Sequence, residues 1–409
     1  MSPVPKYDFN AQGRRLPQLD LSSLKINIAF IRNKTIVITG GASGFGAGFC
    51  TEWAPHGANI IIGDVNVAAG EALIAKLRLE TNNKNLHFIH LDVTSWRSQV
   101  DFFREAVRLS PHGGIDTVVA NAGVNGPREA NLFENPMSDY LNDPDPPAPT
   151  LKTIDVNLTG VLYTAHLALF YLPRNPDSTP CSPTSPSGPG QRDRHLILLG
   201  SIASLYPVVT QTPYTVSKHA VLGLFRSLRM NAPLSSGIRV NMLCPYFVHT
   251  PILGTPARLV LSGNAIGSVE DVVEAATCLV SRPEIIGRAL VIGPKVKVRV
   301  QVDEDGIGLG GTDGIPYVEQ VFEVADPERS GMPDGQGAIQ ERAIWEVYAD
   351  DFQHADHFTA RMMNLNQAAS AVKGWIGFAV DMASAITWRL WSGKPNREMT
   401  PVKKERTSK

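Results

Sequence analysis

The chain has 409 residues, is 43% hydrophobic, and sets 38 Lys and Arg against 39 Asp and Glu for a formal charge of −1. That length suits one large domain with extensions, or two domains, and the apolar share suits a chain that buries a core. The balanced charge projects no strong field, which excludes nucleic acid as an expected partner.

Residues 1–30 read as a polar, proline-punctuated arm. It lacks the uninterrupted apolar run of a signal peptide, so a cytoplasmic location is expected. Cys50, Cys181, Cys244 and Cys278 show no metal-ligand spacing. Free thiols in a reducing compartment, and no metal, are expected.

From residue 34 a rhythm sets in. "KTIVITG", "NIIIGD", "LHFIHLD" and "IDTVVANAG" are short apolar runs rich in β-branched residues. "GFGAGFCTEWAPHGA", "VAAGEALIAKLRLET" and "SWRSQVDFFREAVRLS" separate them with helical spacing. "LKTIDVNLTGVLYTAHLALFYL" is a long helix, "RHLILLGS" a fifth strand, "IRVNMLCP" a sixth and "GRALVIGP" a seventh. This alternation predicts an α/β fold over 31–300, a Rossmann-type doubly wound parallel sheet of about seven strands. The Pro/Ser/Gly-rich segment 173–194 is expected to be a disordered surface insertion. Beyond 300 the rhythm is lost, and 301–409 is expected to be an added, mostly helical extension, helical over 341–392.

"TGGASGFG", residues 39–46, lies between the first strand and first helix. Glycines at Gly40, Gly44 and Gly46 let backbone turn tightly and approach a pyrophosphate held at the helix N-terminus. Asp64 ends the second strand, where a carboxylate accepts from ribose hydroxyls and repels a 2′-phosphate. That favours NAD(H) over NADP(H). Tyr214 and Lys218, in "PYTVSKHA", stand four apart where a helix begins, and so share one helical face. The pair alone leaves two readings open, surface decoration or a proton-transfer device.

Together these motifs resemble the short-chain dehydrogenase/reductase family. Thr39–Gly46 is similar to its TGxxxGxG element, Asn121-Ala122-Gly123 to its Asn-Ala-Gly element, and Tyr214–Lys218 to its YxxxK. Asp92 after the third strand, Asn157 in the long helix and Ser201, 13 residues before Tyr214, fall in the family's order. The likeness covers about 34–300. "GSIASLYPVVTQTPYTVSKHAVLGLFRS" and "CPYFVHTPIL" most resemble the 15-hydroxyprostaglandin dehydrogenase branch, which oxidises secondary alcohols on lipophilic chains with NAD.

The resemblance implies Ser201, Tyr214, Lys218 and Asn157 as catalytic residues, with Asn157 supporting a water relay to Lys218. It implies a nicotinamide cofactor held by Thr39, Gly40, Ser43, Gly44, Phe45, Gly46, Asp64, Asp92, Val93, Asn121, Ala122, Gly123, Tyr214, Lys218, Val248 and Thr250. A free phenol titrates at about 10, too high for a base near neutral pH. A nearby ammonium and an oxidised nicotinamide are expected to lower it. Two positions depart from the pattern: Tyr246 replaces the usual glycine after Pro245, and Gly200 stands where another serine is common. Gln211 and Tyr246 are candidate substrate contacts.

The segment 373–391, "KGWIGFAVDMASAITWRLW", is apolar around most of a helical wheel but too short and charged to span a bilayer. Three readings stay open: docking on the chain's own body, lying on a membrane surface, or packing on a partner helix. The expectation is thus an NAD(H)-dependent oxidoreductase acting on a lipophilic secondary alcohol or ketone. The resemblance implies a homo-oligomer built on the helices near Asn157 and Lys218. The alternatives are a nucleotide-binding interaction protein with little turnover, and a biosynthetic ketoreductase.

Overall fold

The computed structural model describes residues 19, 26–137, 139–253, 266–300, 318–320 and 339–347, with Ala368, Val372 and Gly374. The chain divides into two compact units, Met1–Asp8 with Arg15–Asp350, and Phe9–Arg14 with Asp351–Lys409. In the second unit the described positions Ala368, Val372 and Gly374 are helical. The rest of 373–391 lies outside the described residues. Among the described residues no helix is long and apolar enough to cross a membrane.

Among the described residues the first helix of the first unit is α1, Ile28–Ile31, whose Phe30 and Ile31 are buried. β1 (Thr35–Thr39), α2 (Gly44–Trp53), β2 (Asn59–Asp64), α3 (Val67–Thr81), β3 (Leu86–His90), α4 (Trp96–Leu109) and β4 (Thr117–Ala120) then alternate as expected. α5 (Pro127–Glu134) and α6 (Lys152–Ile154) follow, then a π-helical turn at Asp155–Thr159 that runs into α7 (Gly160–Tyr171). β5 (His195–Leu199), α8 (Thr212–Ser236), β6 (Arg239–Pro245), α9 (Val269–Ser281) and β7 (Ala289–Val300) complete the rhythm.

Strand order is β3-β2-β1-β4-β5-β6-β7, every neighbouring pair parallel. Because strand side chains alternate, β1 sends Ile36 and Ile38 to one face and Val37 to the other, and β2 does the same with Ile60, Ile62 and Ile61. One face packs these against Phe49, Trp53, Ile74, Val272 and Leu279. The opposite face packs against Phe102, Phe103, Ala165 and Phe225. Burial on both faces is why the strands read as unbroken apolar runs. The order reverses between β1 and β4, which opens a crevice at their C-terminal ends.

Three features differ from the sequence reading. Two further strands, β8 (Val318–Gln320) and β9 (Ile339–Val347), pair antiparallel with β7 and bring the sheet to nine strands among the described residues. Residues 341–347 are therefore strand where helix was expected. An ion pair between Arg288 on the loop before β7 and Glu346 on β9, at 2.6 Å and almost wholly buried, fastens this edge.

The third difference is the segment 173–194, which is laid on the body and not disordered. The Cys181 N–H donates to Gly237 O at 2.9 Å, and Lys34 Nζ to Gln191 O at 2.8 Å. The Asn27 side chain donates to Ser187 O at 2.8 Å. Asn175 Nδ2 donates to Asp116 Oδ1 at 2.9 Å. Asp193 pairs with buried Arg239 at 2.7 Å. Burial alone would raise the Asp193 carboxyl, but Arg239 and Lys34 outweigh it and hold it well below the usual carboxylate range. Polar anchors do here what apolar burial could not.

Candidate functional site

The glycine loop closes on itself. Gly40 has φ +65°, the left-handed region that favours glycine. A Cβ on Gly46 would lie 2.3 Å from the Gly40 carbonyl oxygen and 2.8 Å from Asn121 Nδ2. Gly46 thus lets the first turn of α2 press onto the turn after β1. Ser43 caps α2 with extended backbone, and Phe45 packs on the apolar face of the sheet. Gly44 stands beneath Thr250, whose Cβ would be 3.9 Å from a Cβ at Gly44. Thr250 and Val248 are both buried, Val248 bridging to Gly267.

Two carboxylates border this crevice. Asp64 Oδ2 accepts from Ala42 N at 3.0 Å, and its Oδ1 from Asn66 N at 2.9 Å. The glycine loop and the end of β2 therefore hold it in place with lone pairs still to offer. Asp92 is turned on its own loop: Oδ1 accepts from both Thr94 N, at 2.9 Å, and Thr94 Oγ1, at 2.7 Å. Val93 is buried against Gly160.

Asn121 staples the switch point. Its Nδ2 donates to Thr39 O at 2.9 Å and Gly40 O at 2.8 Å, while Thr39 Oγ1 accepts from the N–H groups of Asn121 and Ala122, each at 3.1 Å. Gly123 abuts the next layer. A Cβ there would sit 3.4 Å from Asn157 Oδ1 and 3.6 Å from Lys218 Nζ.

Asn157 lies in the π-helical turn, a distortion common at functional sites. Its side chain holds both backbone groups of Val124, accepting from N and donating to O at 2.8 Å each, and reaches Ser217 Oγ at 3.3 Å. The structure thus gives Asn157 a bracing contact between the loop after β4 and the helix α8.

Ser201 caps a single 3₁₀ turn, Ile202–Ser204, in a reciprocal capping box. Ala203 N donates to Ser201 Oγ at 3.1 Å, and Ser201 N to Ser204 Oγ at 3.2 Å. The third residue of α8 is Tyr214, half-buried. Burial pushes its phenol above the ordinary 10, and a hydrogen-bonding interaction with Ser201 pulls it back. One turn on, Lys218 Nζ donates to Leu199 O at 3.0 Å and lies 5.7 Å from the Tyr214 ring centre. Burial lowers its ammonium from the ordinary 10.5 to about 8, against a smaller raising effect from Cys244. The phenol, expected to be lowered by the nearby ammonium and an oxidised nicotinamide, is in the chain alone raised by burial.

The structure brings Ser201, Tyr214, Lys218 and Asn157 together beside the glycine loop. Tyr246 stands at the end of β6, its N–H donating to Ile292 O at 2.8 Å and its ring meeting Phe247 edge-on at 4.9 Å. Gln211, the residue before α8, has a buried Oε1 without a partner. Sequence reasoning missed two neighbours. Glu134, closing α5, accepts from Thr212 N at 3.0 Å and Thr212 Oγ1 at 2.7 Å, which ties α5 to the start of α8. Cys244 interacts with Ser201 backbone and Lys218 beneath the site. No local pattern marks Glu134, which meets Thr212 across 78 residues of chain.

A mostly parallel sheet with a glycine cradle at its switch point defines a nucleotide-binding α/β protein. A family profile described as short chain dehydrogenase matches residues 34–257, and the chain belongs to that family. The 5'-hydroxyaverantin dehydrogenase of Dothistroma septosporum is 33% identical over 302 residues, 70% of this chain and 94% of that protein. Mouse 15-hydroxyprostaglandin dehydrogenase [NAD(+)] is 30% identical over 224 residues, 54% of this chain and 70% of its own. An NADP-dependent dehydrogenase of Phoma sp. is 31% identical over 275 residues, 65% of this chain and 76% of its own. Among solved structures, levodione reductase shares the fold at a TM-score of 0.51 and 19% identity, covering 64% of this chain and 97% of that one.

Proposed function

We propose that the protein moves a hydride between NAD(H) and a secondary alcohol or ketone, in the oxidative direction, on a lipophilic substrate. One observation carries the reading: Ser201 and Tyr214 interact, and Lys218 anchors to the carbonyl of Leu199 one turn behind them. In this mechanism Tyr214 takes the carbinol proton. Ser201 Oγ accepts from the Ala203 N–H, and its hydroxyl would turn to donate to the reacting oxygen. Lys218 would hold the nicotinamide ribose, and Asn157 braces the loop beside it.

The cradle fits a dinucleotide: Gly40 turns the chain at φ +65° against Ala122, and Gly46 lets the first turn of α2 pack on that turn, which leaves the helix N-terminus at the crevice. Bound NAD⁺ supplies the hydride acceptor and a positive ring charge that favours the phenolate. Asp64 supports NAD(H), because a 2′-phosphate would face its fixed carboxylate. The relatives include enzymes named for each cofactor, so the preference rests on this side chain. The apolar substrate draws support from Tyr206 and Val209, exposed on the loop after β5 beside the site. Gln211, three residues before Tyr214, contacts the substrate near its carbinol. Leu162 on α7 and Val216 on α8 are exposed apolar residues that suit a homo-oligomer built on these helices.

The test is turnover of a panel of long-chain secondary alcohols with NAD⁺ and NADP⁺, beside Tyr214→Phe. Oxidation with NAD⁺ that the variant loses supports the reading. Turnover confined to small polar sugars, or unchanged in the variant, overturns it.

A further inference from the structure

Helix α5 reaches both helical runs that carry the site, with one glutamate for each. Glu129 Oε2 accepts from Thr153 N at 3.2 Å and from Thr153 Oγ1 at 3.0 Å. Glu134 Oε1 accepts from Thr212 N at 3.0 Å and from Thr212 Oγ1 at 2.7 Å. Each carboxylate takes the N–H and the hydroxyl of one threonine, and each threonine lies in the first turn of a helix. Thr153 belongs to α6, which runs on into the π-helical turn that holds Asn157. Thr212 opens α8, two residues before Tyr214.

Helix α8 does not cap itself. Its N-cap residue, Gln211, makes no side-chain cap bond. Pro213 has no N–H, and Thr215 N closes the first turn on Gln211 O at 2.8 Å. The chain enters through Thr210 at φ +62°, a region that β-branched residues rarely adopt. Such a turn persists only where its surroundings hold it. A carboxylate at a helix N-terminus satisfies a free N–H and meets the positive end of the dipole. Glu134 supplies that group from another element. The opposite end of α5 is seated firmly: Thr153 is buried, and a Cβ on Gly126 would lie 3.0 Å from its Oγ1. The loop leading into α5 is held by Asn157 at both backbone groups of Val124.

We propose that Glu134 is a positioning residue for the reaction: by capping α8 from α5, it sets where Tyr214 stands relative to Asn157 and the loop after β4. This rests on the oxidoreductase reading above. Glu134 acts through the helix and takes no part in the proton transfer. A base displaced by an ångström or so loses rate while substrate and cofactor still bind. The two clasps differ in what their loss reveals. The buried donors of Thr153 would be left unpaired without Glu129, which reads as lost stability. The Thr212 clasp is exposed, so water takes the place of the carboxylate and the fold survives.

The experiment follows 2-undecanol oxidation with NAD⁺ by the full-length protein as wild type, Glu134→Ala, Glu134→Gln, Thr212→Val and the Glu134→Ala/Thr212→Val double variant. NADH affinity, the unfolding midpoint and hydrogen exchange in the first turn of α8 are measured on each. Glu134→Ala is expected to lower kcat by about 10–10²-fold with KM and NADH affinity kept within about twofold. Its midpoint falls by no more than about 4 °C, the scale of one lost cap. Exchange in the first turn of α8 speeds up. Glu134→Gln, which still offers an oxygen to both donors, recovers kcat to within about threefold of wild type and restores slow exchange. Thr212→Val loses part of the rate, and the double variant is no slower than Glu134→Ala, because both changes break one clasp. Wild-type kcat in Glu134→Ala, an equal loss in Glu134→Gln, additive losses in the double variant, or a loss that only tracks a fallen midpoint or weakened NADH binding would each overturn the inference alone. Turnover of no alcohol by wild type would overturn the oxidoreductase reading and this inference with it.

Discussion

Lys218 Nζ donates to the carbonyl oxygen of Leu199 at 3.0 Å, which ties α8 to the strand end two residues before Ser201. The bond fixes where the ammonium stands, yet leaves it almost wholly buried beside one neutral partner. Its titration, lowered to about 8 by burial, records that cost.

Replacing Lys218 therefore separates stability from activity. Between pH 8 and 10.5 the unfolded chain holds a proton on this lysine that the folded chain has released, so stability rises with pH across that window. Below the lower bound the whole cost of the buried charge remains. Lys218→Met is expected to stabilise the protein at neutral pH by roughly 2 kcal/mol, the gain fading in alkaline solution. Turnover is expected to fall by about 10²–10⁴-fold. Chemical denaturation at neutral and alkaline pH, with parallel rate assays, checks both.

In the proposed mechanism the raised phenol of Tyr214 sets the pH dependence: the base for alcohol oxidation would be the phenolate, which burial disfavours. The kcat/KM for oxidation is expected to climb with pH and to be still rising at about pH 9. Ketone reduction needs the protonated phenol and is expected to stay flat across the neutral range. Profiles in both directions on one alcohol–ketone pair provide the measurement.

Gly46 is a position where a single methyl group meets rigid backbone. Its Cβ would meet the backbone oxygen of Gly40 at 2.3 Å, with no flexible atom to yield. Gly46→Ala is expected to cost about 1–3 kcal/mol in stability and to weaken dinucleotide binding at least tenfold. Thermal unfolding and NADH titration read the two effects separately.

Asp64 is held by two backbone N–H groups, from Ala42 and Asn66, so its charge cannot swing away from an incoming ribose. Asp64→Ala is expected to lose about tenfold in NADH affinity and to gain in NADPH affinity, narrowing the preference from both sides. Paired fluorescence titrations of the variant and wild type check the direction.

The parts of this architecture that repeat locally were legible from the residues. Apolar runs such as Thr35–Thr39 and Asn59–Asp64 are buried on both faces, and the cradle at Gly40–Gly46 occupies the single turn its glycines permit. The placement of Ser201 beside Tyr214 followed from spacing and likeness, since neither residue alone marks a site. What stayed hidden depends on contacts far apart in sequence. β9 joins β7 through antiparallel pairing that no local periodicity announces, and its residues Glu341–Val347 are charged enough to read as an amphipathic helix. The segment 173–194 looked unable to fold because it buries little apolar area. Its anchors are single polar bonds to Lys34, Asp116 and Gly237. The π-helical turn that aims Asn157, and the clasp of Glu134 on Thr212, are likewise side-chain events without a repeat.

The most direct test follows the hydride itself. A long-chain secondary alcohol deuterated at its carbinol carbon is incubated with the protein and NAD⁺, and the reduced nucleotide is analysed by mass spectrometry. Deuterium on the nicotinamide with wild type, and none above background with Tyr214→Phe, is the predicted result. Nucleotide bound tightly by both proteins, with no deuterium transferred by either, would contradict the account.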